Sequence, residues 1–265
     1  MSVTLPLAGR RALLTGGNSD IGAAIARRLA GDGADIVLHH FADAQTTLAL
    51  ADELQASGRS VGVVEANFLA ADSVADFARD MLAGHGAIDI LVCCAAVEVR
   101  RPWQDVEPKH LQEHLAVNVG AFLSLASVLV PPMAERGWGR VVAIGSVMAA
   151  RPRAETVAYA ATKAALLTAV QAVARDVAGN GVTINVVSPG AIETGPSAER
   201  YADPAFRAAV TAKIPAARPG LPDDIAGPVA FLCSDAAAYV TGINLPVDGG
   251  WTIGDAPGAL PGGAA

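Results

Sequence analysis

Short apolar runs and amphipathic stretches alternate along the chain with little drift. Residues 11–15 (RALLT) are an apolar run that ends in glycines, and 21–30 follow at helical spacing and stop at Gly31-Asp-Gly33. The run 35–40 (DIVLHH) predicts a second strand, 44–57 an amphipathic helix closed by Gly58, 60–65 (SVGVVE) a third strand and 73–83 another helix. Strands at 88–94 (IDILVCC), 139–144 (GRVVAI), 182–187 (VTINVV) and 242–247 come next, with helices over 108–130, 157–178 and 223–232 between them. The strands are unbroken apolar runs rather than polar/apolar alternations, as expected of strands covered on both faces. Strand-helix repetition of this kind predicts an α/β fold built on one doubly wound parallel sheet of about seven strands, with helices on both faces. Composition never shifts sharply, so one domain is expected over 1–253, followed by a Gly/Pro/Ala-rich tail at 254–265. Residues 191–219 are the longest segment with no place in the alternation.

Composition narrows the function. Of 265 residues 52% are apolar and 17% charged, which supplies a sizeable core and excludes disorder. Lys and Arg number 19 against 26 Asp and Glu, a net charge of −7 that gives no reason to expect a nucleic-acid or anionic-membrane partner. Residues 115–133 are uncharged, but they contain Asn118, Gly120 and Pro131-Pro132. That mixture suits a helix buried in a core or subunit interface better than a membrane span. The basic pair Arg10-Arg11 follows a short apolar stretch, the reverse of a secretory signal. Three cysteines, two of them adjacent, make no disulfide framework, and a reducing cytoplasm is the expected setting.

Three motifs carry candidate chemistry. Thr15-Gly-Gly-Asn-Ser-Asp-Ile-Gly22 joins the first strand to a helix, and the free N–H groups and dipole at that helix start suit a pyrophosphate. Any tight strand-to-helix turn also needs glycine. Tyr159-Ala-Ala-Thr-Lys163 puts a phenol and an ammonium on one helix face, where the cation favours the phenolate and makes the pair a usable acid/base. In isolation such a pair is an ordinary solvated face. Ser146 stands thirteen residues earlier, just after the strand 139–144, at the edge where open α/β sheets bind ligands. His110-Leu-Gln-Glu-His114 has zinc-ligand spacing but no third ligand, so it reads as polar residues of a first helical turn and no metal is expected.

Taken in order, these motifs, Asn118, Ser188-Pro-Gly-Ala-Ile-Glu-Thr194 and Val247-Asp-Gly-Gly250 resemble the short-chain dehydrogenase/reductase family from about residue 7 to 251. The resemblance implies a Rossmann-type fold. It also implies an NAD(P)(H)-dependent oxidoreductase moving a hydride between nicotinamide and a carbonyl or secondary alcohol of a small, largely apolar substrate. Tyr159 would exchange a proton with the substrate oxygen, Lys163 would lower its pKa and hold the nicotinamide ribose, and Ser146 would hydrogen-bond the substrate oxygen. Asn118 would hold a relay water at a helix irregularity. Gly16, Asn18, Ser19, Asp20, Ile21 and Gly22 would surround the pyrophosphate, with Asn67 at the adenine and Pro189, Gly190, Ile192 and Thr194 at the nicotinamide end. By family position the substrate pocket would be Val97, Trp103, Val147, Met148, Arg153 and Tyr201 under a lid at 191–219. Arg151 and Arg153 either meet a polar or anionic group or belong to a solvated loop. A homotetramer or dimer is implied. A 3-oxoacyl-thioester reductase is an alternative, and a non-catalytic nucleotide sensor or scaffold on the same fold is another of a different class.

Departures from the family pattern sharpen these expectations. Asp20 replaces a glycine of the turn, putting a carboxylate where a pyrophosphate would approach, although Asp is also a good helix-capping residue. Cys93-Cys-Ala-Ala96 replaces the usual Asn-Asn-Ala-Gly, and adjacent strand residues point to opposite faces, so the two thiols read as small buried hydrophobes. The second strand ends in His39-His40, with neither the Asp that favours NAD(H) nor the Arg that favours NADP(H). Neutral imidazoles can donate to a phosphate, which tilts the expectation weakly toward NADP(H).

Overall fold

The computed structural model describes residues 5–254. The Gly/Pro/Ala-rich tail, apart from Gly254, lies outside the described residues. The apolar runs become β1 (Arg11–Thr15), β2 (Asp35–His40), β3 (Val61–Glu65), β4 (Ile90–Cys93), β5 (Gly139–Ile144), β6 (Val182–Pro189) and β7 (Asn244–Val247). They form one seven-stranded sheet in the order β3-β2-β1-β4-β5-β6-β7. Every neighbouring pair is parallel. Chain order reverses between β1 and β4, and a crevice opens at such a switch point.

Successive residues of each strand feed different cores. Ala12, Leu14, Ile36, Leu38 and Val92 pack under α1 (Asp20–Gly31), α2 (Ala44–Ala56) and, near the chain end, the helix Pro222–Cys233. Leu13, Val37, Leu91, Val141 and Ala143 pack on the other face under α3 (Ala71–His85) and the two long helical runs that follow it. Burial on both faces is the reason for the unbroken apolar runs. The register places Thr15 level with His39 and Cys93, so β1, β2 and β4 end in one row and release their loops at one edge.

The helix expected at 108–130 is interrupted and longer. It runs as α4 (Pro108–Leu115), a π-turn over Ala116–Gly120 and α5 (Ala121–Glu135). It continues through Pro131-Pro132 because Leu129, Val130 and Met133 are buried and hold its last turns on the sheet. The α6 helix (Val157–Val177) lies beside it on the same core. Both runs are long and apolar enough to cross a membrane by length and composition, yet their buried sides form the second core of this sheet.

The segment 191–219, which the apolar pattern leaves unassigned, carries α7 (Gly195–Ala202) and α8 (Pro204–Thr211) before α9 (Pro222–Cys233). Local start signals exist for both short helices. Thr194 with Ser197 forms a capping box ahead of α7, and the Asp203 carboxylate accepts from Ala205 N–H at 2.9 Å ahead of α8. At eight residues each, they are too short for a periodic apolar signal to stand out.

Candidate active site

The turn after β1 is built by close approach. Gly16 has φ +67°, and a Cβ there would stand 2.8 Å from the Ala95 nitrogen. At Gly22 a Cβ would stand 2.3 Å from the Gly16 carbonyl oxygen. Ser19 caps α1 by accepting from Gly22 N–H at 3.1 Å. The Thr15 hydroxyl ties the turn to the neighbouring strand end, accepting from Cys94 N–H at 3.1 Å and Ala95 N–H at 3.2 Å. Together these contacts fix the turn before α1 at the switch point.

A cleft of about 1350 Å³ runs along this edge. Gly16, Asn18, Ser19, Asp20, Ile21 and Asn67 line one half, and Ser146, Tyr159, Lys163, Pro189, Gly190, Ile192 and Thr194 line the other. Gly22 is buried beneath the turn rather than in its wall. A close-fitting glycine turn, a capped helix start and a long cleft fit an extended dinucleotide.

The two histidines do not stand as the imidazole argument required. His39 is buried, accepts from Gly16 N–H through Nδ1 at 3.3 Å and faces the Ala66 carbonyl through Nε2 at 3.0 Å. Its ring stacks on Phe68 at 4.1 Å, and burial lowers its pKa to about 4, so it is neutral at pH 7. Both nitrogens are spent within the protein. His40 is buried away from the cleft, and its Nδ1 has no partner among the described residues. Neither imidazole is free to meet a ribose phosphate, and among the described residues no Lys or Arg lines the cleft beside the glycine turn.

Lys163 is buried, and its Nζ donates to the Ile144 carbonyl at 2.7 Å while lying 5.5 Å from the Tyr159 ring centre. Burial lowers the Lys163 pKa to about 8. Burial pushes the Tyr159 phenol well above its ordinary range, the nearby Glu98 carboxylate adds to the rise, and the Ser146 hydroxyl opposes both. Ser146 accepts from Met148 N–H at 3.1 Å. Asn118 sits on the π-turn, behind the cleft. It accepts from Val97 N–H at 2.8 Å and donates to the Val97 carbonyl at 2.9 Å and to Thr162 Oγ1 at 3.1 Å. Its amide therefore clamps the loop after β4 to the helix that carries Tyr159.

The expected substrate pocket is only partly assembled. Val97, Met148, Arg153 and Tyr201 line the cleft. Trp103 is 60% exposed and outside it, because its short 3-10 turn lies on the surface. Val147 is 4% exposed and turned into the protein, away from the lining. Glu98, Arg100, Arg200, Lys213 and Trp251 take wall positions that sequence reasoning missed. Arg100 pairs with Glu98 at 2.8 Å, and Arg200 stacks over Phe206 at 4.5 Å. The lining is mostly apolar, as expected from sequence, with cationic side chains added to it. None of these residues has a local signature, since only folding of the segments after β4, β6 and β7 brings them to one wall.

Cys93 and the HxxEH pair have structural surroundings, whereas half-buried Cys94 lines the cleft with its Sγ 3.7 Å from Ser19 Oγ. Burial raises the Cys93 pKa to about 12 and also raises that of Cys94, leaving both as thiols. His114 is buried, contacts the His110 carbonyl through Nδ1 at 2.6 Å and accepts from Val99 N–H through Nε2 at 3.1 Å. His110 accepts from Glu107 N–H at 3.2 Å. The pair caps a helix and anchors the loop after β4.

A doubly wound sheet with a glycine turn at its switch point and a Ser/Tyr/Lys group in the same cleft defines a dinucleotide-dependent oxidoreductase. The sequence model of the family described as Enoyl-(Acyl carrier protein) reductase matches residues 16–252. The chain belongs to the short-chain dehydrogenase/reductase family and is an NAD(P)-dependent oxidoreductase. It is 35% identical over 242 residues to an acetoacetyl-CoA reductase of Allochromatium vinosum, covering 91% of this chain and 98% of that one. A 3-oxoacyl (acyl-carrier-protein) reductase of Agrobacterium tumefaciens C58, solved with NADP bound, superposes with a TM-score of 0.88 at 36% identity, covering 93% of this chain and 95% of that one. A gluconate 5-dehydrogenase of Burkholderia cenocepacia J2315, solved with NADP and tartrate, gives a TM-score of 0.87 at 32% identity, covering 94% and 98%.

Proposed function

We propose that this enzyme uses NADP(H) to reduce the carbonyl of a small substrate that carries an anionic group, with Tyr159 as proton donor. The observation that carries the substrate class is the distribution of charge in one cleft. Arg100, Arg153, Arg200 and Lys213 line it in a chain of net charge −7, with Glu98 paired to Arg100 and Glu155 4.0 Å from Arg153, whereas among the described residues no Lys or Arg lines the side of the glycine turn. Such a cationic wall raises the local concentration of anionic substrate. The relatives' names support the same class, since acyl-CoA, acyl-carrier-protein and gluconate substrates all bear negative charge. A 3-oxoacyl thioester therefore falls within the proposal. The NADP held by two related structures supports NADP(H), and since no arginine among the described residues lines the cleft beside the glycine turn, the preference over NAD(H) is small.

Bound NADPH supplies the hydride. Gly16, Ser19 and Ile21 hold the pyrophosphate end, Thr194 and Ile192 the nicotinamide end, and Lys163 the ribose. Ser146 orients the substrate oxygen. Tyr159 gives its hydroxyl proton to that oxygen, and a water at the π-turn near Asn118 refills the relay. Segment 191–219 acts as the lid. The exposed Leu115, Leu123 and Val157 support subunit contacts in a homotetramer or dimer, and the free thiols support a cytoplasmic setting.

Two experiments test this reading. Arg153→Ala and Arg200→Ala should each raise KM for acetoacetyl-CoA or a keto acid about tenfold, as expected for loss of a charged contact, and leave a neutral ketone of similar size unaffected. Preference for the neutral ketone in the wild type would refute the substrate class. The second experiment is a pH profile. A phenol raised by burial stays protonated at neutral pH and serves reduction, whereas its base form, needed for alcohol oxidation, grows only as pH rises. Lys163, lowered to about 8, keeps its charge below that pH and loses it above. Reductive kcat/KM should be level near neutrality and fall as pH passes about 8, while oxidation gains over the same range. A reductive rate still climbing above about pH 9 would contradict the assignment.

A further inference from the structure

Asp20 is the residue of the glycine turn that reaches across the cleft. It is the first residue of α1, and its Oδ2 accepts from Gly195 N–H at 2.6 Å across 175 positions of sequence. Gly195 opens α7, and a Cβ there would come within 3.3 Å of that oxygen, so the lid helix meets the carboxylate with a bare backbone. The carboxylate lies between the N-terminal ends of a twelve-residue and an eight-residue helix, both of which favour an anion. Ser19, Ile21 and Thr194 share the cleft wall with it. A charge-assisted bond of this length is stronger than a neutral one. The chain thus supplies its own anion at the helix start that this fold otherwise offers to a pyrophosphate.

We infer that Asp20 is a positioning residue that latches α7 onto the glycine turn, and that the dinucleotide and the latch compete. Binding of the pyrophosphate requires the carboxylate to leave Gly195, so cofactor affinity is reduced by the strength of the latch and entry of cofactor loosens the start of the lid. The inference rests on the reading that the pyrophosphate lies on the glycine turn. It goes beyond that reading by coupling cofactor binding to lid release through one hydrogen bond.

The test uses the full-length protein with two readouts, hydrogen exchange of the peptide 195–202 without cofactor and NADPH affinity by nicotinamide fluorescence. In Asp20→Gly, exchange should rise about tenfold and the NADPH Kd should fall about tenfold, since one charge-assisted bond and its repulsion are removed. In Asp20→Asn, which keeps an acceptor without the charge, both changes should have the same direction and smaller size. A melting temperature close to wild type in Asp20→Asn guards against general loss of fold. Unchanged exchange in both variants overturns the latch, whatever happens to affinity. Exchange that rises while NADPH binds no tighter overturns the competition. If wild type and variants bind neither NADPH nor NADH, the cofactor reading fails, and the exchange data still decide separately whether Asp20 holds α7.

Discussion

Tyr159→Phe is expected to lower kcat/KM for carbonyl reduction by about 10³-fold, the middle of the range for loss of a positioned general acid. The substitution keeps the ring and removes one hydroxyl. The helix around it is held by contacts that do not use that hydroxyl. Thr162 Oγ1 donates to the Tyr159 carbonyl at 2.9 Å and accepts from Asn118 at 3.1 Å, and Lys163 is anchored on Ile144. Melting temperature and NADPH affinity should therefore stay near wild type, so a loss confined to kcat identifies a transition-state role rather than a folding defect. Ser146→Ala should cost less, because it removes one hydrogen bond to the substrate oxygen and leaves the proton donor in place. Full activity in Tyr159→Phe would remove the phenol from the mechanism.

Gly22→Ala should have the second largest effect, on stability and cofactor binding together. The added methyl would stand 2.3 Å from the Gly16 carbonyl oxygen and 3.0 Å from Ser19 Oγ. The first contact is with backbone, so the turn itself must move. Overpacking of this kind costs about 2 kcal/mol, which for a chain of this size lowers the melting temperature by roughly 4–8 °C. The same movement displaces the N–H groups of the first turn of α1, so NADPH affinity should fall by about tenfold or more. Thermal unfolding and a fluorescence titration measure both. Wild-type affinity would show that the cofactor does not depend on the geometry of this turn.

The two variants probe parts of the molecule that were legible to different degrees. The strands Arg11–Thr15, Asp35–His40 and Gly139–Ile144 were readable to the residue, because continuous apolar runs flanked by glycine or charge are local signals. The starts of α1 and α9, at Asp20 and Pro222, fall one residue before those the spacing predicts at 21 and 223. The Tyr159/Lys163 pair was readable because four-residue spacing fixes a common face on any helix. Shorter features were not. Helices α7 and α8 lack length for a periodic pattern, and nothing local marks the π-turn at Ala116–Gly120, where the resemblance alone expected an irregularity at Asn118.

What the amino-acid sequence determines by itself is the order of the strands and longer helices and the parallel layered architecture, which follow from periodicity along single segments, while the reactive set is what the family resemblance implies. The tertiary structure decides everything that depends on two distant segments meeting. His39 and His40 looked like cofactor contacts until Phe68, Ala66 and Gly16 closed around the first and the core buried the second. Trp103 looked like a pocket residue, yet its turn lies on the surface. Arg100, Arg200 and Lys213 acquire a shared role only when the segments after β4 and β6 form one wall. Asp20 could be read as a helix cap, but its bond to Gly195 joins residues 175 positions apart. Burial, charge pairing and the pKa values that follow from them are properties of surroundings, and no local pattern specifies which distant side chains those surroundings will contain.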